Sequence, residues 1–297
     1  MSRNTRLLLS MLAIFALLLA ACGDDDDTDT GTDTTEEEST DTTEEDSTDT
    51  TEGDAAPVGG TLTVGTKYDQ PLFGVNTPDG VVGFDADIAR YVGEQLGAEI
   101  EFQEAVSANR EPFLQNGTVD MVVATYTIND ERDEIVDFAG PYYVAGQDIM
   151  VVAGNPKGIT GIEDLDSGDI ATCTVEGSTS LDNLNELAPN ANVTTFDAYS
   201  KCADAMGQGR VDAVTTDNVI LLGLADESEG AYELVENPFT EEPYGIGVPE
   251  GSELRCQINE ILQAMYDDGT WAQIYQDTVG AVATQVPDPP ALNNEGC

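Results

Sequence analysis

The segment YTINDERDEIVDF, residues 126–138, sets one arginine, Arg132, among five carboxylates, in a chain with 58 acidic and 10 basic residues. A guanidinium is a planar fork of donors that matches a carboxylate in two parallel hydrogen bonds. Arg132 is therefore a candidate anion ligand, and a surface arginine offsetting its own helix is the plain alternative. Eight basic residues lie beyond the first 21 positions: Lys67, Arg90, Arg110, Arg132, Lys157, Lys201, Arg210 and Arg255. Two others sit where chemistry is easily placed, Lys67 at the end of the strand-like GTLTVGT and Arg110 in SANREPF. The stretch TVEGSTS, 174–180, leads into a helical pattern, so its free backbone N–H groups and hydroxyls favour an anion, or else Ser178 simply caps the helix. Asp217 closes VTTD at another strand end.

The elements that position these residues follow a βαβ rhythm. GTLTVGT alternates as a strand does, and GFDADIARYVGEQLG carries Ile88, Val92 and Leu96 at helical spacing up to Gly97. EIEF reads as a strand, REPFLQNG as a helix closed by Gly117, and VDMVVAT as a buried strand. After PYYVAGQDIMVVAG the rhythm restarts with DIATCTV, STSLDNLNELA, NVTTF, YSKCADAMGQG, VDAVTTD and NVILLGLAD, alternately strand and helix. Two α/β units are expected, each a parallel sheet with helices on both faces. Ligands of open α/β sheets bind beyond the carboxyl ends of strands, here VATYT, TVEGSTS and VTTDN.

The remaining composition narrows the function. Residues 1–21 join two arginines to an apolar run, Leu7–Leu19, and small residues, as an export signal does. LLAAC resembles the lipobox of bacterial lipoproteins, which implies cleavage before Cys22 and lipid on its thiol. Residues 22–57 are nearly all Asp, Glu, Thr, Ser and Gly, with nothing to bury, so an extended tether is expected. With 16 acids in 24–54 and 42 elsewhere, the surface excludes nucleic acid as a partner and suits a salty medium. Four cysteines besides Cys22 in an oxidising compartment allow three disulfide pairings. Their placement favours Cys173 with Cys202 in the middle region, and Cys256 with Cys297 stapling the tail to a helix. The chain has no His and no CxxC spacing, so no metal and no cofactor are expected.

Taken in order, GFDADIARYVGEQLG, NREPFLQNGTVDMVVATYTINDERDEIVDFAGPYYVAG and GRVDAVTTDNVIL resemble the bacterial extracellular solute-binding proteins of family 3, the polar amino-acid receptors of ABC importers. KYDQP and the paired cysteines are similar to the glutamate-binding lipoproteins of actinobacteria. Ala86 departs from the bulkier aliphatic the family prefers there. The resemblance implies a two-lobed, type II periplasmic-binding-protein-like fold with two crossover hinge strands, lobe 1 from 58–147 plus 243–297 and lobe 2 from 148–242. It also implies a lipid-anchored monomer on the outer face of the cytoplasmic membrane, binding a free amino acid, glutamate first and aspartate next, for an ABC permease. On matching positions, Arg132, Thr127 and the N–H of Thr179 would hold the ligand α-carboxylate. Asp217 with Ala124 and Thr125 would hold the α-ammonium, and Lys67, Arg110 and Ser178 the side chain. Tyr68, Tyr126 and Tyr142 are wall or core residues, and Phe73, Phe84 and Trp271 core.

The fold so implied also supports dehydratases acting on prephenate-like acids, and a surface lipoprotein could serve as sensor or adhesin. The lack of His removes the commonest general acid and base, which weighs against an enzyme.

Overall fold

The computed structural model describes residues 59–283 and 286–297, so the signal segment, Cys22 and the acidic tether lie outside the described residues. In chain order the described elements begin with β1 (Thr61–Thr66), β2 (Asp69–Gln70), β3 (Gly74–Thr77), β4 (Gly80–Val82) and α1 (Phe84–Gln95). Next come β5 (Glu99–Glu104), α2 (Arg110–Gln115), β6 (Met121–Val122), α3 (Asp130–Asp133) and β7 (Val136–Ala145). The middle region holds β8 (Gln147–Val152), α4 (Ile162–Leu165), β9 (Ala171–Val175), α5 (Thr179–Leu187), β10 (Asn192–Phe196), α6 (Tyr199–Gly207), β11 (Ala213–Asp217), α7 (Asn218–Glu227) and β12 (Tyr232–Leu234). The chain then returns through β13 (Glu242–Pro249) to α8 (Leu254–Asp268) and α9 (Thr270–Asp277). Among the described residues no helix is long and apolar enough to cross a membrane.

These elements build two lobes around two five-stranded sheets, ordered β5-β1-β6-β13-β7 and β10-β9-β11-β8-β12. Each lobe packs helices on both faces of its sheet. In the first, Val64, Ile88, Val92, Leu262 and Trp271 form one core, and Leu114, Val122, Tyr126 and Phe138 the other. In the second, Val214, Cys202 and Leu221 lie on one face, Ile149, Leu165 and Leu184 on the opposite one.

The sheets are mixed rather than parallel. β1 runs parallel to β5 and β6, but β13 runs antiparallel to both β6 and β7, and β8 antiparallel to β11 and β12. The reason is connectivity: β8 and β13 enter their sheets from the other lobe, against the direction set by the βαβ units. A second difference is the small antiparallel sheet β2-β3-β4, built from strands too short for an alternating pattern to register.

The lobes are joined where β7 gives way to β8 across Gly146, and where the chain comes back into β13. The two crossings touch, since a Cβ on Gly146 would lie 2.8 Å from Thr240 O. Gln147 N–H donates to Thr240 Oγ1 at 3.0 Å, and Phe239 N–H to Gln147 O at 2.9 Å. A hinge this short fixes the axis about which the lobes can turn.

Disulfides join Cys173 to Cys202, 29 residues apart, and Cys256 to Cys297, 41 apart. The first ties β9 to α6 inside the second lobe. The second pins the C-terminal segment to α8, where Arg255 Nη2 also donates to Glu295 O at 2.7 Å and Asn259 Nδ2 to Asn293 O at 2.8 Å.

Candidate functional site

The cleft between the lobes gathers the residues singled out in the sequence. Its first-lobe wall begins with α2 and α3. Arg132 sits on α3, whose N-cap Asn129 accepts from Arg132 N–H at 2.9 Å, so the helix start turns the side chain inward, where it is 6% exposed. Its Nε pairs with Glu111 Oε1 at 3.0 Å, and Nη1 donates to Thr127 O at 2.7 Å. Arg110, 2% exposed, donates from Nε to Ser107 O at 3.2 Å and from Nη1 to the carbonyls of Ala124 and Thr125, both at 3.3 Å. Both guanidiniums lie over the Tyr126 ring, with Cζ 4.4 Å and 5.0 Å from its centroid. Burial, then Arg132, lowers Arg110 to about 10.

Lys67, 3% exposed at the end of β1, donates from Nζ to Ser107 Oγ at 2.9 Å. Burial and the Arg110 charge bring it down to about 7. Among the described residues no carboxylate lies within 4.0 Å of Lys67 Nζ or of the Arg110 guanidinium.

Between these cations the backbone is strained. Thr125 is β-branched yet has φ 44°, a left-handed conformation that cuts β6 short of the seven-residue strand expected there. Two residues hold it. Asp85, at the start of α1, accepts Thr125 N–H at 2.8 Å and Tyr142 Oη–H at 2.7 Å, and Gln70 Oε1 accepts Thr125 Oγ1 at 2.9 Å. Desolvation raises Asp85 to about 7 despite those two bonds.

The second-lobe wall is built of hydroxyls and acids. Ser178 caps α5, accepting Leu181 N–H at 3.2 Å while donating to Val175 O at 2.7 Å, so its hydroxyl is taken up by its own helix rather than offered to a side chain in the cleft. Thr179 Oγ1 lies 3.4 Å from Thr127 Oγ1 across the cleft and donates to Glu242 Oε2 at 2.9 Å. Asp217, 3% exposed, accepts Tyr244 Oη–H at Oδ2, while its buried Oδ1 has no partner among the described residues. Burial, then the neighbouring Glu242 charge, raises Asp217 to about 7. Arg110, Thr125, Ser178, Thr179, Thr216 and Asp217 line a common cavity.

The lobes meet around this cavity. Arg110 Nη2 and Arg132 Nη2 each reach Gly177 O at 3.4 Å. A Cβ on Gly177 would lie 2.7 Å from Ala108 Cα, and at φ 72° the position admits little but glycine. On the far side Asp69 Oδ2 accepts Ser200 N–H and Oγ–H at 3.3 and 3.1 Å, at the first turn of α6.

Of the nine residues expected to touch a ligand, Arg110, Thr125, Ser178, Thr179 and Asp217 line this cavity, while Lys67, Ala124, Thr127 and Arg132 do not, and Ala124 and Thr125 direct their carbonyls to Arg110. Tyr126 and Tyr142 are fully buried core residues, as are Phe73, Phe84 and Trp271, while Tyr68 is half-buried and bonded to Phe102 O at 2.9 Å. Sequence reasoning missed Gln70, Asp85, Glu111 and Glu242. Glu111 adjoins Arg110 in NREPF and Asp85 lies in the first turn of α1, but in so acidic a chain neither carried a signal of its own.

Two α/β lobes on paired crossover strands, closed over a polar cleft with cations on one wall and acids on the other, define a two-lobed receptor for a small solute. The chain belongs to the bacterial extracellular solute-binding proteins, family 3, whose model matches residues 62–281. It is 40% identical over 240 residues to the glutamate-binding protein GluB of Corynebacterium efficiens, covering 76% of this chain and 81% of that one. It is 39% identical over 275 residues to the ABC transporter glutamine-binding protein GlnH of Bacillus subtilis, covering 90% and 94%. Among solved structures it resembles an ancestral arginine-binding protein bound to glutamine, with a TM-score of 0.70 and 39% identity over 74% of this chain and 98% of that one. The chain is thus a solute-binding protein of the amino-acid ABC importer class.

Proposed function

We propose that this protein captures an acidic amino acid, glutamate foremost and aspartate next, by closure of its two lobes and delivers it to an ABC permease from a lipid anchor at Cys22 on the outer face of the cytoplasmic membrane. Similarity alone divides almost evenly between glutamate- and glutamine-binding relatives. The observation that carries the reading is the first-lobe wall, where three cations are almost fully buried and two of them, Lys67 and Arg110, have no carboxylate partner within 4.0 Å among the described residues. Buried charge of one sign asks for the other. A ligand with two carboxylates and one ammonium meets that demand better than one with an amide.

In this reading Arg132, Thr127 and the Thr179 N–H at the start of α5 take the α-carboxylate, and Asp217, whose Oδ1 has no partner, takes the ammonium. Lys67 and Arg110 take the distal carboxylate, and Arg110 also keeps the Ala124 and Thr125 carbonyls in place. The lobes are assigned as 58–147 plus 243–297 and 148–242, and the protein acts as a monomer without catalysis.

Calorimetric titration with Glu, Asp, Gln and Arg tests this. Wild type is expected to prefer Glu, Arg132→Ala to lose every amino acid, and Arg110→Ala to lose Glu by a larger factor than Gln. Equal losses of Glu and Gln in Arg110→Ala sink the acidic assignment. Turnover of a bound ligand on incubation would replace the receptor reading by an enzymatic one.

A further inference from the structure

We infer that Glu242 is a positioning residue for ligand capture, holding the start of α5 against the hinge and adding a second negative charge beside Asp217 to draw in an ammonium group. The inference rests on the amino-acid reading above.

Glu242 is the first residue of β13 and pairs with Ala145 of β7, so it belongs to the crossing itself. It is 3% exposed, and among the described residues no lysine or arginine lies within 4.0 Å of it. Its donors are all neutral: Thr179 Oγ1 at 2.9 Å, Asn183 Nδ2 at 2.8 Å and Thr240 Oγ1 at 2.8 Å. A glutamine would keep one acceptor oxygen for Asn183 and Thr240 and set its amide N–H against Thr179 Oγ1, whose hydroxyl can turn to accept, so these neutral donors do not by themselves require a buried charge.

Two features of the surroundings explain it. Thr179 and Asn183 lie one turn apart on α5, and Asn183 Nδ2 also donates to Gln147 Oε1 of β8 at 3.0 Å. Residues of both crossings therefore grip the helix whose first residue faces Thr127 of the other lobe, and hinge geometry passes directly to the carboxylate end of the site. Meanwhile Glu242 lies two residues along β13 from Tyr244, whose hydroxyl donates to Asp217 Oδ2, and its charge raises Asp217, whose Oδ1 has no partner among the described residues. Asp217 is also faced by Tyr244 of β13, Tyr199 of α6, Arg110 of α2 and Arg132 of α3. The hinge side thus carries two close acids, and a ligand ammonium is the group that relieves both.

The test is calorimetry of wild type and Glu242→Gln from pH 5 to 8 with glutamine, whose neutral side chain keeps Lys67 out of the profile, alongside a carboxyl-carbon NMR titration of Asp217 in the ligand-free protein. The wild-type affinity is expected to fall below about pH 7 as Asp217 takes up its proton. In Glu242→Gln the plateau affinity drops about fivefold, because charge-assisted bonds become neutral ones. The acid limb and the Asp217 midpoint both move to lower pH. Thr179→Val is expected to weaken binding while leaving the limb in place. A loss in Glu242→Gln that is equal at every pH, with the Asp217 midpoint unmoved, makes Glu242 merely structural and overturns the inference while the amino-acid reading stands. Folded wild-type protein that binds no amino acid overturns both.

Discussion

Raising the pH from 6 to 9 should weaken glutamate far more than glutamine, and Lys67 sets the size of the effect. Burial and Arg110 hold Lys67 at about 7 in the ligand-free protein. Its charged neighbours are Arg110 on α2, Arg132 on α3, Asp69 on β2 and Asp85 on α1, so two cations and two acids act on it. An anionic ligand carboxylate favours the ammonium form, so a bound glutamate lifts Lys67 back toward its ordinary range. The sign follows: the Lys67 contribution is complete below about pH 7 and is lost as pH rises through that value.

With that midpoint, the protonated fraction falls from about 0.9 at pH 6 to about 0.01 at pH 9, which is a loss of roughly 90-fold, or about 2.7 kcal/mol. Titration of Asp217 and of the ligand's own amine affects both ligands equally and cancels in the ratio of glutamate to glutamine affinity. Calorimetry at pH 8 in two buffers of different ionisation enthalpy reads the proton directly, with uptake of about 0.9 per glutamate and almost none per glutamine. Lys67→Met should abolish the uptake and flatten the ratio. Parallel pH profiles for the two ligands, or no proton uptake with glutamate, refute the assignment of Lys67 to the distal carboxylate.

Three further outcomes are expected. Gly177→Ala places a Cβ 2.7 Å from Ala108 Cα in a left-handed position, so it should oppose closure and weaken every amino acid at least about tenfold in titration, with little change in the ligand-free melting temperature. Replacing Cys256 and Cys297 by Ser opens a link spanning 41 residues and should cost about 4 kcal/mol in denaturant unfolding, while ligand affinity, read by calorimetry, stays within twofold or so. Asp85→Asn removes a buried carboxylate that desolvation raises to about 7, a penalty fully present above that pH and absent well below 4. Its melting temperature relative to wild type should therefore be more favourable at pH 8 than at pH 4, and a constant difference would contradict this.

The sequence was legible where one pattern filled a whole element. The helical spacing of Ile88, Val92 and Leu96 and the alternations of strand and helix in 171–227 map onto α1, β9, α5, β10, α6, β11 and α7. It was illegible where a residue's neighbour comes from elsewhere in the chain. β6 stops at Val122 because Thr125 is bent by Asp85 and Gln70, which lie 40 and 55 residues away. β2, β3 and β4 are too short for periodicity to speak. The cations stood out because there were eight of them, whereas Glu111 and Glu242 were hidden among 42 acids. Scarcity made the basic half of the site visible and abundance concealed the acidic half.

That asymmetry bears on how closure is driven. Among the described residues the cations at the cleft, Lys67, Arg110 and Arg132, come from the first lobe, whereas Asp217, which feels the charges of both arginines, comes from the second lobe and its neighbour Glu242 from the hinge. Yet Arg110 and Arg132 reach across only to a neutral carbonyl, Gly177 O, at 3.4 Å. A carboxylate accepting from the same guanidiniums forms charge-assisted bonds of about 2.7–2.9 Å, roughly twice as strong as neutral ones. On the proposed reading, the ammonium of the same ligand would meet the acids on the other side. Each half of an amino acid therefore satisfies groups that the lobes do not satisfy for one another, and the full set is available only when Gly177 stands against Ala108. On the proposed reading, a ligand of this charge pattern would bind the closed arrangement more tightly than the open one, and that difference in affinity would shift the population toward closure.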